Sequence, residues 1–444
     1  MLIDKCPTGI EDLDMAIGGG FPRGALVLLA GNPGAGKTTL AAKFLYEGIK
    51  KYGEPGVMLS FSEPLADFIR NMKLLDLDFE ALDRDSFSFI EAYTAVDKQA
   101  ITVLMKQLTS EVSRINARRL VIDSITALVG GLMSTELRAL LHNTLMRLCK
   151  VRGVTAILIA DLPVGVDVVG YGVEEFVVDG LIKLYMNYGP TGVPERKIEI
   201  VKLRGAPLKR VIYEFTIGRG GISLFIPAGP EAGGKIGPGR ISTGIAELDS
   251  MLGGGLLKGS VTILDGISGS GKTTIALRFA LEGLKGGEPI LYISLNEPNQ
   301  QVVDRLTKID KVDKNLAHII SPSYLKYTKG GFYDMVIRSI LKFDVKRVVM
   351  DGIEMLRIQY GPKGASQLIS SISAFTKSKG ITMILTSSKA EDCYYMVDNV
   401  IKLSLTRFDN SLVRTIEVVK SRGSDHSYRI RKMSITDKEV LIYE

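Results

Sequence analysis

Apolar and polar positions follow two alternating patterns along the chain. Residues 25–30 form a short unbroken apolar run that leads into a glycine loop. After it Leu40, Ala41, Phe44, Leu45 and Ile49 recur on one helical face. An apolar run of that length reads as a strand buried on both sides, so strand, loop and helix follow in order. Residues 57–61, Arg119–Asp123 and 155–159 repeat the strand pattern, with helical stretches predicted at 64–75, 97–117 and 134–151 between them. Such alternation implies crossover connections and a parallel sheet covered on both faces. After residue 176 the pattern becomes strands only, at 181–186, 197–203, 211–216 and 222–226, separated by turn residues. An antiparallel extension of the sheet is expected there.

The whole pattern then recurs. Thr8, Gly9, Ile10, Leu13, Asp14 and Gly18 to Gly20 reappear as Thr243, Gly244, Ile245, Leu248, Asp249 and Gly253 to Gly255, all shifted by 235 positions. The shift falls to 234 between Glu63 and Glu297 and to 218 between Lys202 and Lys420. Solenoid repeats run at about 20–50 residues, so this period is a duplicated domain. Residues 227–240 are rich in proline and glycine with few apolar anchors and read as a linker. The expected organisation is α/β: a first domain at 1–226, the linker at 227–240 and a second domain at 241–444. Each domain has a mainly parallel central sheet, helices on both faces and an antiparallel C-terminal extension.

Composition narrows the picture slightly. The 444 residues are 45% hydrophobic and 24% charged, which argues against wholesale disorder. Lys plus Arg number 56 against 49 Asp plus Glu, and a net charge of +7 is too small to argue for nucleic acid. Cys6, Cys149 and Cys393 lie far apart without metal-ligand spacing, so neither a disulfide framework nor a zinc site is expected. No charged and apolar leader opens the chain, and apolar runs such as 154–160 stop far short of the ~20 residues that span a bilayer. A cytoplasmic protein without a membrane partner is expected.

Residues 31–38, Gly-Asn-Pro-Gly-Ala-Gly-Lys-Thr, fit GxxxxGK[ST] between a strand and an amphipathic helix, and residues 266–273, Gly-Ile-Ser-Gly-Ser-Gly-Lys-Thr, repeat the fit. In such a loop backbone N–H groups converge on phosphates at a helix N-terminus, lysine reaches the outer phosphates, and threonine ligates magnesium. That assigns Gly34, Ala35, Gly36, Lys37, Thr38 and Thr39, and Gly269, Ser270, Gly271, Lys272, Thr273 and Thr274, to ATP. Asp123 and Asp351 each end an apolar strand, where a carboxylate joins Thr38 or Thr273 in holding Mg2+. Hydrolysis needs a carboxylate to orient water as well. Glu63 and Glu297, each after the second strand of its copy, are the candidates beside Lys37 and Lys272. The alternative reading of both is a carboxylate favoured by a helix N-terminus.

With the Thr-Gly-Ile…Leu-Asp…Gly-Gly-Gly opening and the phosphate loop, the segments 171–179 and Lys202-Leu203-Arg204-Gly205 resemble the KaiC family of RecA-like ATPases. The resemblance covers nearly the whole chain in a tandem arrangement. It implies two RecA-like P-loop domains, a homo-hexameric double ring, ATP between neighbouring subunits, and output through a regulatory protein partner. Arg196, Lys202 and Arg204 share parity on one predicted strand, as do Arg414, Lys420 and Arg422 on its counterpart. Three cations per copy are therefore expected on one sheet face. The resemblance implies that Lys202, Leu203 and Arg204, and Lys420, Ser421 and Arg422 with Ser424 and His426, serve the nucleotide across the interface.

This sequence also departs from the family pattern. Ser62 and Asn296 stand where the first of two consecutive glutamates is usual, so turnover in both copies is expected to be slow. In an extended strand Glu63 would point away from the side that residue 62 faces. Leu208 stands where the second copy has His426, so phosphate contacts are expected to differ between copies. Tyr394 and Tyr395 replace the Ser-Thr pair that the clock protein of this family phosphorylates, which excludes autophosphorylation on those residues. Transfer to Ser424 or Tyr394 is left open. The chain stops at Glu444, leaving no tail for a clock partner, so no circadian role is expected. Two other readings stand beside the ATPase. One is a RadA/RecA-like recombinase paralogue acting on DNA, with no aromatic and basic single-strand platform in its favour. The other is a nucleotide-switched scaffold with negligible turnover.

Overall fold

The computed structural model describes residues 4–83, 85–92, 98–126, 141–162, 177–188, 192–206, 212–227, 237, 239–310, 313, 315–408, 411–436 and 439–444. Its contacts divide the chain into two compact units, Met1–Ile226 and Pro227–Glu444. Of residues 227–240, only 227, 237, 239 and 240 are among those described. No helix among the described residues is long and apolar enough to cross a membrane.

In the first unit the strands are β1 Lys5–Cys6, β2 Phe21–Pro22, β3 Leu26–Gly31, β4 Gly56–Ser60, β5 Phe87–Glu91, β6 Arg119–Asp123, β7 Thr155–Asp161, β8 Gly180–Tyr188, β9 Pro194–Leu203, β10 Ile212–Gly218 and β11 Gly221–Phe225. In the second they are β12 Arg240–Ile241, β13 Leu256–Leu257, β14 Val261–Asp265, β15 Ile290–Ser294, β16 Ala317–Ile320, β17 Arg347–Asp351, β18 Thr382–Ser387, β19 Asn399–Phe408, β20 Ser411–Ser421, β21 Arg431–Ile435 and β22 Val440–Tyr443. Each unit holds a nine-stranded sheet with the same topology. The order is β11-β10-β9-β8-β3-β7-β6-β4-β5 in the first and β22-β21-β20-β19-β14-β18-β17-β15-β16 in the second.

Both sheets are mostly parallel α/β sheets, as the alternation of runs and helices implies. The strand that precedes each phosphate loop, β3 or β14, lies at the centre. Val27 and Leu29 of β3 join one hydrophobic cluster, while Leu26, Leu28 and Ala30 join another, so both faces of the sheet are buried. The antiparallel extension begins one strand later than the pattern suggests. β8 runs parallel to β3 and β19 parallel to β14, and only β9 to β11 and β20 to β22 are antiparallel. The edge strands β5 and β16 have no counterpart among the predicted runs. β5 buries only Ser88 and Ile90, and no residue of β16 is fully buried. The predicted helices at 64–75 and 97–117 appear as Leu65–Lys73 and Lys98–Arg114. Of that at 134–151, residues 134–140 lie outside the described residues, as do 171–176, Leu208 and residue 211.

The duplicated opening is structural. Asp14 accepts the Thr8 backbone N–H at 2.7 Å, and Asp249 accepts that of Thr243 at 2.8 Å, closing the turn before each first helix. A buried ion pair is duplicated too. Arg119, fully buried, meets Glu54 at 2.7 Å, and Arg347 meets Glu288 at 2.6 Å. Removing one partner of such a buried pair typically costs ~3–5 kcal/mol. Gly48 and Gly283 make room for these arginines: a Cβ on Gly48 would lie 2.2 Å from Arg119 Nε.

Candidate functional site: two phosphate loops

Each loop joins the end of a central strand to a helix, Lys37–Tyr52 or Lys272–Lys285. Gly36 and Gly271 cap these helices at φ 101° and 107°, a conformation that side chains other than hydrogen adopt only under strain. The loop therefore turns its amides inward at a helix N-terminus, where an anion is stabilised. Gly34 at φ 74° and Gly269 at φ 80° continue the turn. Ala35 and Ser270 are fully buried beneath it, and Thr39 and Thr274 fall in the first helical turn.

Lys37 donates to the carbonyls of Gly31 and Asn32 at 2.8 and 3.0 Å and lies 3.1 Å from Asp161. Lys272 donates to Gly266 and Ile267 at 2.5 and 2.9 Å. Both ammonium groups thus sit over the loop's own carbonyls, on the side where phosphates would lie. Burial lowers the Lys272 pKa, and the carboxylates of Glu354, Asp351 and Asp265 oppose that shift.

Thr38 Oγ1 donates to Asp123 Oδ2 at 2.7 Å, and Thr273 Oγ1 to Asp351 Oδ1 at 3.3 Å. A hydroxyl and a strand-end carboxylate, both oxygen donors and beside the lysine, fit the donor set that magnesium takes. Burial pushes the Asp123 carboxyl above the usual carboxylate range, Thr38 opposes it, and the charge of Asp161 adds to it. Asp351 is more fully engaged, because Tyr292 donates to Oδ2 at 2.8 Å and Thr386 donates to Oδ1. In the first copy Met58 and Ile159 occupy the equivalent register positions, so the two aspartates differ in environment.

Glu63 and Glu297 do not obey strand alternation, because the strand has already ended. Ser60 Oγ donates to the Glu63 carbonyl at 2.8 Å and accepts its N–H at 3.2 Å, and Ser294 Oγ accepts the Glu297 N–H at 3.1 Å. A tight turn, not an extended segment, carries each glutamate. Their partners differ in charge: Asn71 donates to Glu63 Oε2 at 3.0 Å, whereas the Arg305 guanidinium lies 3.0 Å from Glu297 Oε1. Burial raises the Glu63 pKa, the Asn71 hydrogen bond lowers it, and the charges of Asp123 and Asp67 raise it.

The cations of β9 and β20 do not share one face. Leu181 pairs with Lys202 but Ile182 with Ile200, so Val201 is an extra residue; Val400 pairs with Lys420 but Ile401 with Val418, so Val419 is its counterpart. A bulge reverses the side-chain parity beyond it. Arg196 and Arg414 therefore lie on the side of Ile200 and Val418, and Lys202 and Lys420 on the opposite side. Arg414 Nε donates to Gly269 O at 3.1 Å, a contact with the phosphate loop of its own copy. Lys202 donates to Val178 O at 2.8 Å, and Lys420 to Tyr394 O and Val397 O at 2.6 and 2.7 Å. Arg204 lies 3.8 Å from Asp179, and Arg422 donates to Tyr395 O at 3.2 Å. Leu203 is buried, Ser421 donates to Asn399 at 2.9 Å, and Ser424 accepts from Arg240 at 2.8 Å. The His426 backbone donates to Asp425 at 2.9 Å, and its ring packs on Tyr428.

Sequence reasoning missed Asp161 and Glu354 as site residues. Asp161 ends the strand beside β3, and Glu354 opens the helix Glu354–Ser378 three residues beyond Asp351; both positions follow from strand ends that converge on the loop.

Comparison with known proteins agrees with this geometry. The family model for the ATPase KaiC matches residues 6–228 and again 241–444. Among curated relatives, the circadian clock protein KaiC2 of Synechocystis sp. is 29% identical, covering 99% of this chain and 81% of its own length. The circadian clock oscillator protein KaiC of Prochlorococcus marinus is 28% identical, covering 98% of this chain and 92% of its own.

Proposed function

The chain belongs to the KaiC family of ATPases, with the family domain in duplicate, and on that premise we propose that it binds ATP with Mg2+ in two pockets and hydrolyses it slowly. The observation that carries this reading is the pairing of a loop threonine with a strand-end aspartate beside the loop lysine, at Thr38 and Asp123 and again at Thr273 and Asp351. Thr38 with Asp123 and Thr273 with Asp351 would hold magnesium, which when bound would neutralise phosphate charge. The loop amides and Lys37 or Lys272 hold the phosphates in place. In the first pocket Glu63 accepts a hydrogen bond from water and aims its oxygen at the γ-phosphorus. The new O–P bond forms as the bond to the bridging oxygen breaks, and ADP and phosphate leave.

Domains at 1–226 and 241–444, joined through 227–240, give one such pocket each. Nucleotide assembles a homo-hexameric double ring in the cytoplasm, and its output is contact with a regulatory protein. The Lys202 to Arg204 and Lys420 to Arg422 segments, with Ser424 and His426, face the nucleotide of a neighbouring subunit, while Arg196 and Arg414 serve the phosphate loop of their own domain. The Arg414 contact with Gly269 supports that division. We do not extend the clock role named for the relatives to this chain, since Tyr394 and Tyr395 offer no Ser-Thr pair.

Phosphate release tests the reading. Release by the unaltered chain well above that of a Lys37→Ala, Lys272→Ala double variant is expected. Equal release by the two would leave a nucleotide-switched scaffold in place of an ATPase.

A further inference from the structure

The two pockets are not chemically alike in the carboxylate that faces the attacking water. In the first, Glu63 is held by the neutral amide of Asn71. In the second, the residue at the same place, Glu297, is held by the guanidinium of Arg305 at 3.0 Å. Arg305 thus ties one oxygen of Glu297 to the following helix through an ion pair, where Asn71 offers Glu63 only a neutral donor.

A second carboxylate lies against Asn296, the residue before Glu297. β15 and β17 are adjacent and parallel, with Ser294 in register with Asp351, so the segments leaving their C-terminal ends run side by side next to the phosphate loop. Asn296 on one segment donates through Nδ2 to Glu354 Oε1 on the other at 3.2 Å. The remaining oxygen, Glu354 Oε2, is buried and accepts no hydrogen bond; Glu297 Oε2 is likewise buried and unbonded, but Glu354 is the one of the two whose charge acts on Lys272 of the phosphate loop. Buried acceptors of this kind are costly unless a water or ligand satisfies them. The first copy has no equivalent: Thr126 stands three residues after Asp123, and its hydroxyl accepts the Asp161 N–H at 2.9 Å.

Resting on the ATPase reading above, we propose that Glu354, and not Glu297, is the catalytic carboxylate of the second pocket. Its Oε2 accepts a proton from the attacking water as the water oxygen bonds to the γ-phosphorus. The bond between that phosphorus and the bridging oxygen breaks, ADP carries away the electron pair, and the proton passes on to solvent. Asn296 fixes the carboxylate through Oε1 and leaves Oε2 for the water. The pockets then work with carboxylates from different elements, the turn after β4 in one and the helix after β17 in the other.

The test uses the full chain carrying Lys37→Ala, so that turnover reports on the second pocket. Steady-state phosphate release and equilibrium ATP binding are measured with and without Glu354→Gln or Glu297→Gln. The expected result is a loss in kcat of about 10²–10⁴-fold for Glu354→Gln, the range typical of a positioned acid or base. KM and ATP affinity should hardly change, and Glu297→Gln should have a much smaller effect. Retained ATP binding shows that the variant is folded. If turnover persists in Glu354→Gln and is lost in Glu297→Gln, the assignment is overturned while the ATPase reading stands. If Lys37→Ala releases no more phosphate than the Lys37→Ala, Lys272→Ala protein, hydrolysis in the second pocket and the role of Glu354 fall together.

Discussion

Asn71 and Arg305 occupy equivalent places, a neutral amide beside Glu63 and a cation beside Glu297. Burial lifts Glu63 above the ordinary glutamate range, and the Asn71 amide partly offsets this by favouring the ionised form. Glu63 can orient water only when ionised, so first-pocket activity is present above its raised pKa and lost as pH falls through it. In protein carrying Lys272→Ala, the acid limb of kcat/KM is therefore expected above the pH at which an ordinary glutamate titrates. Asn71→Ala removes the offsetting hydrogen bond. Without it burial is less opposed, so the limb should move further up. A limb that stays put, or moves down, in a pH-rate profile would contradict the role given to Glu63.

At the scale of elements, the strands and loops that carry ATP chemistry were legible because their patterns are local. An unbroken apolar run, a glycine loop and a helical face of Leu40, Phe44 and Leu45 need no distant partner to be recognised. The bulges at Val201 and Val419 were not legible, since a bulge is one extra residue relative to a neighbouring strand and shows only in the register between the two. Parity counted along the sequence therefore put Arg414 and Lys420 on one face, although Val419 separates them. Glu354 escaped for a similar reason: only the adjacency of β15 and β17 brings it to Asn296. The bulge has a functional consequence that can be read. Arg414 meets its own phosphate loop on one side and the bulge sets Lys420 on the other, so Lys420→Ala with Arg422→Ala removes only the cations assigned to a neighbouring subunit. The Lys420→Ala, Arg422→Ala variant should keep ATP binding in its own pocket and lose nucleotide-dependent association, measured by sedimentation. Unimpaired association would show that these cations do not act across an interface.

The whole molecule is one domain fold used twice, and its differences lie at the ends of the same strands. The sheets share their order, the buried Arg119 and Arg347 pairs share their partners, and both phosphate loops keep lysine, threonine and aspartate together. Around that frame Asp161, Glu354, Tyr292 and Thr386 give each pocket its own surroundings, which suits two sites that divide binding and turnover unequally. Each phosphate loop has its own lysine and aspartate, and in the proposed ring a neighbouring subunit completes the pocket with Lys202 and Arg204 or Lys420 and Arg422. The most direct measurement is therefore the mass of the purified chain in solution, by light scattering, without nucleotide and with saturating ATP and magnesium. A shift to a six-subunit particle on adding nucleotide is expected. A chain that stays monomeric with ATP bound would contradict it.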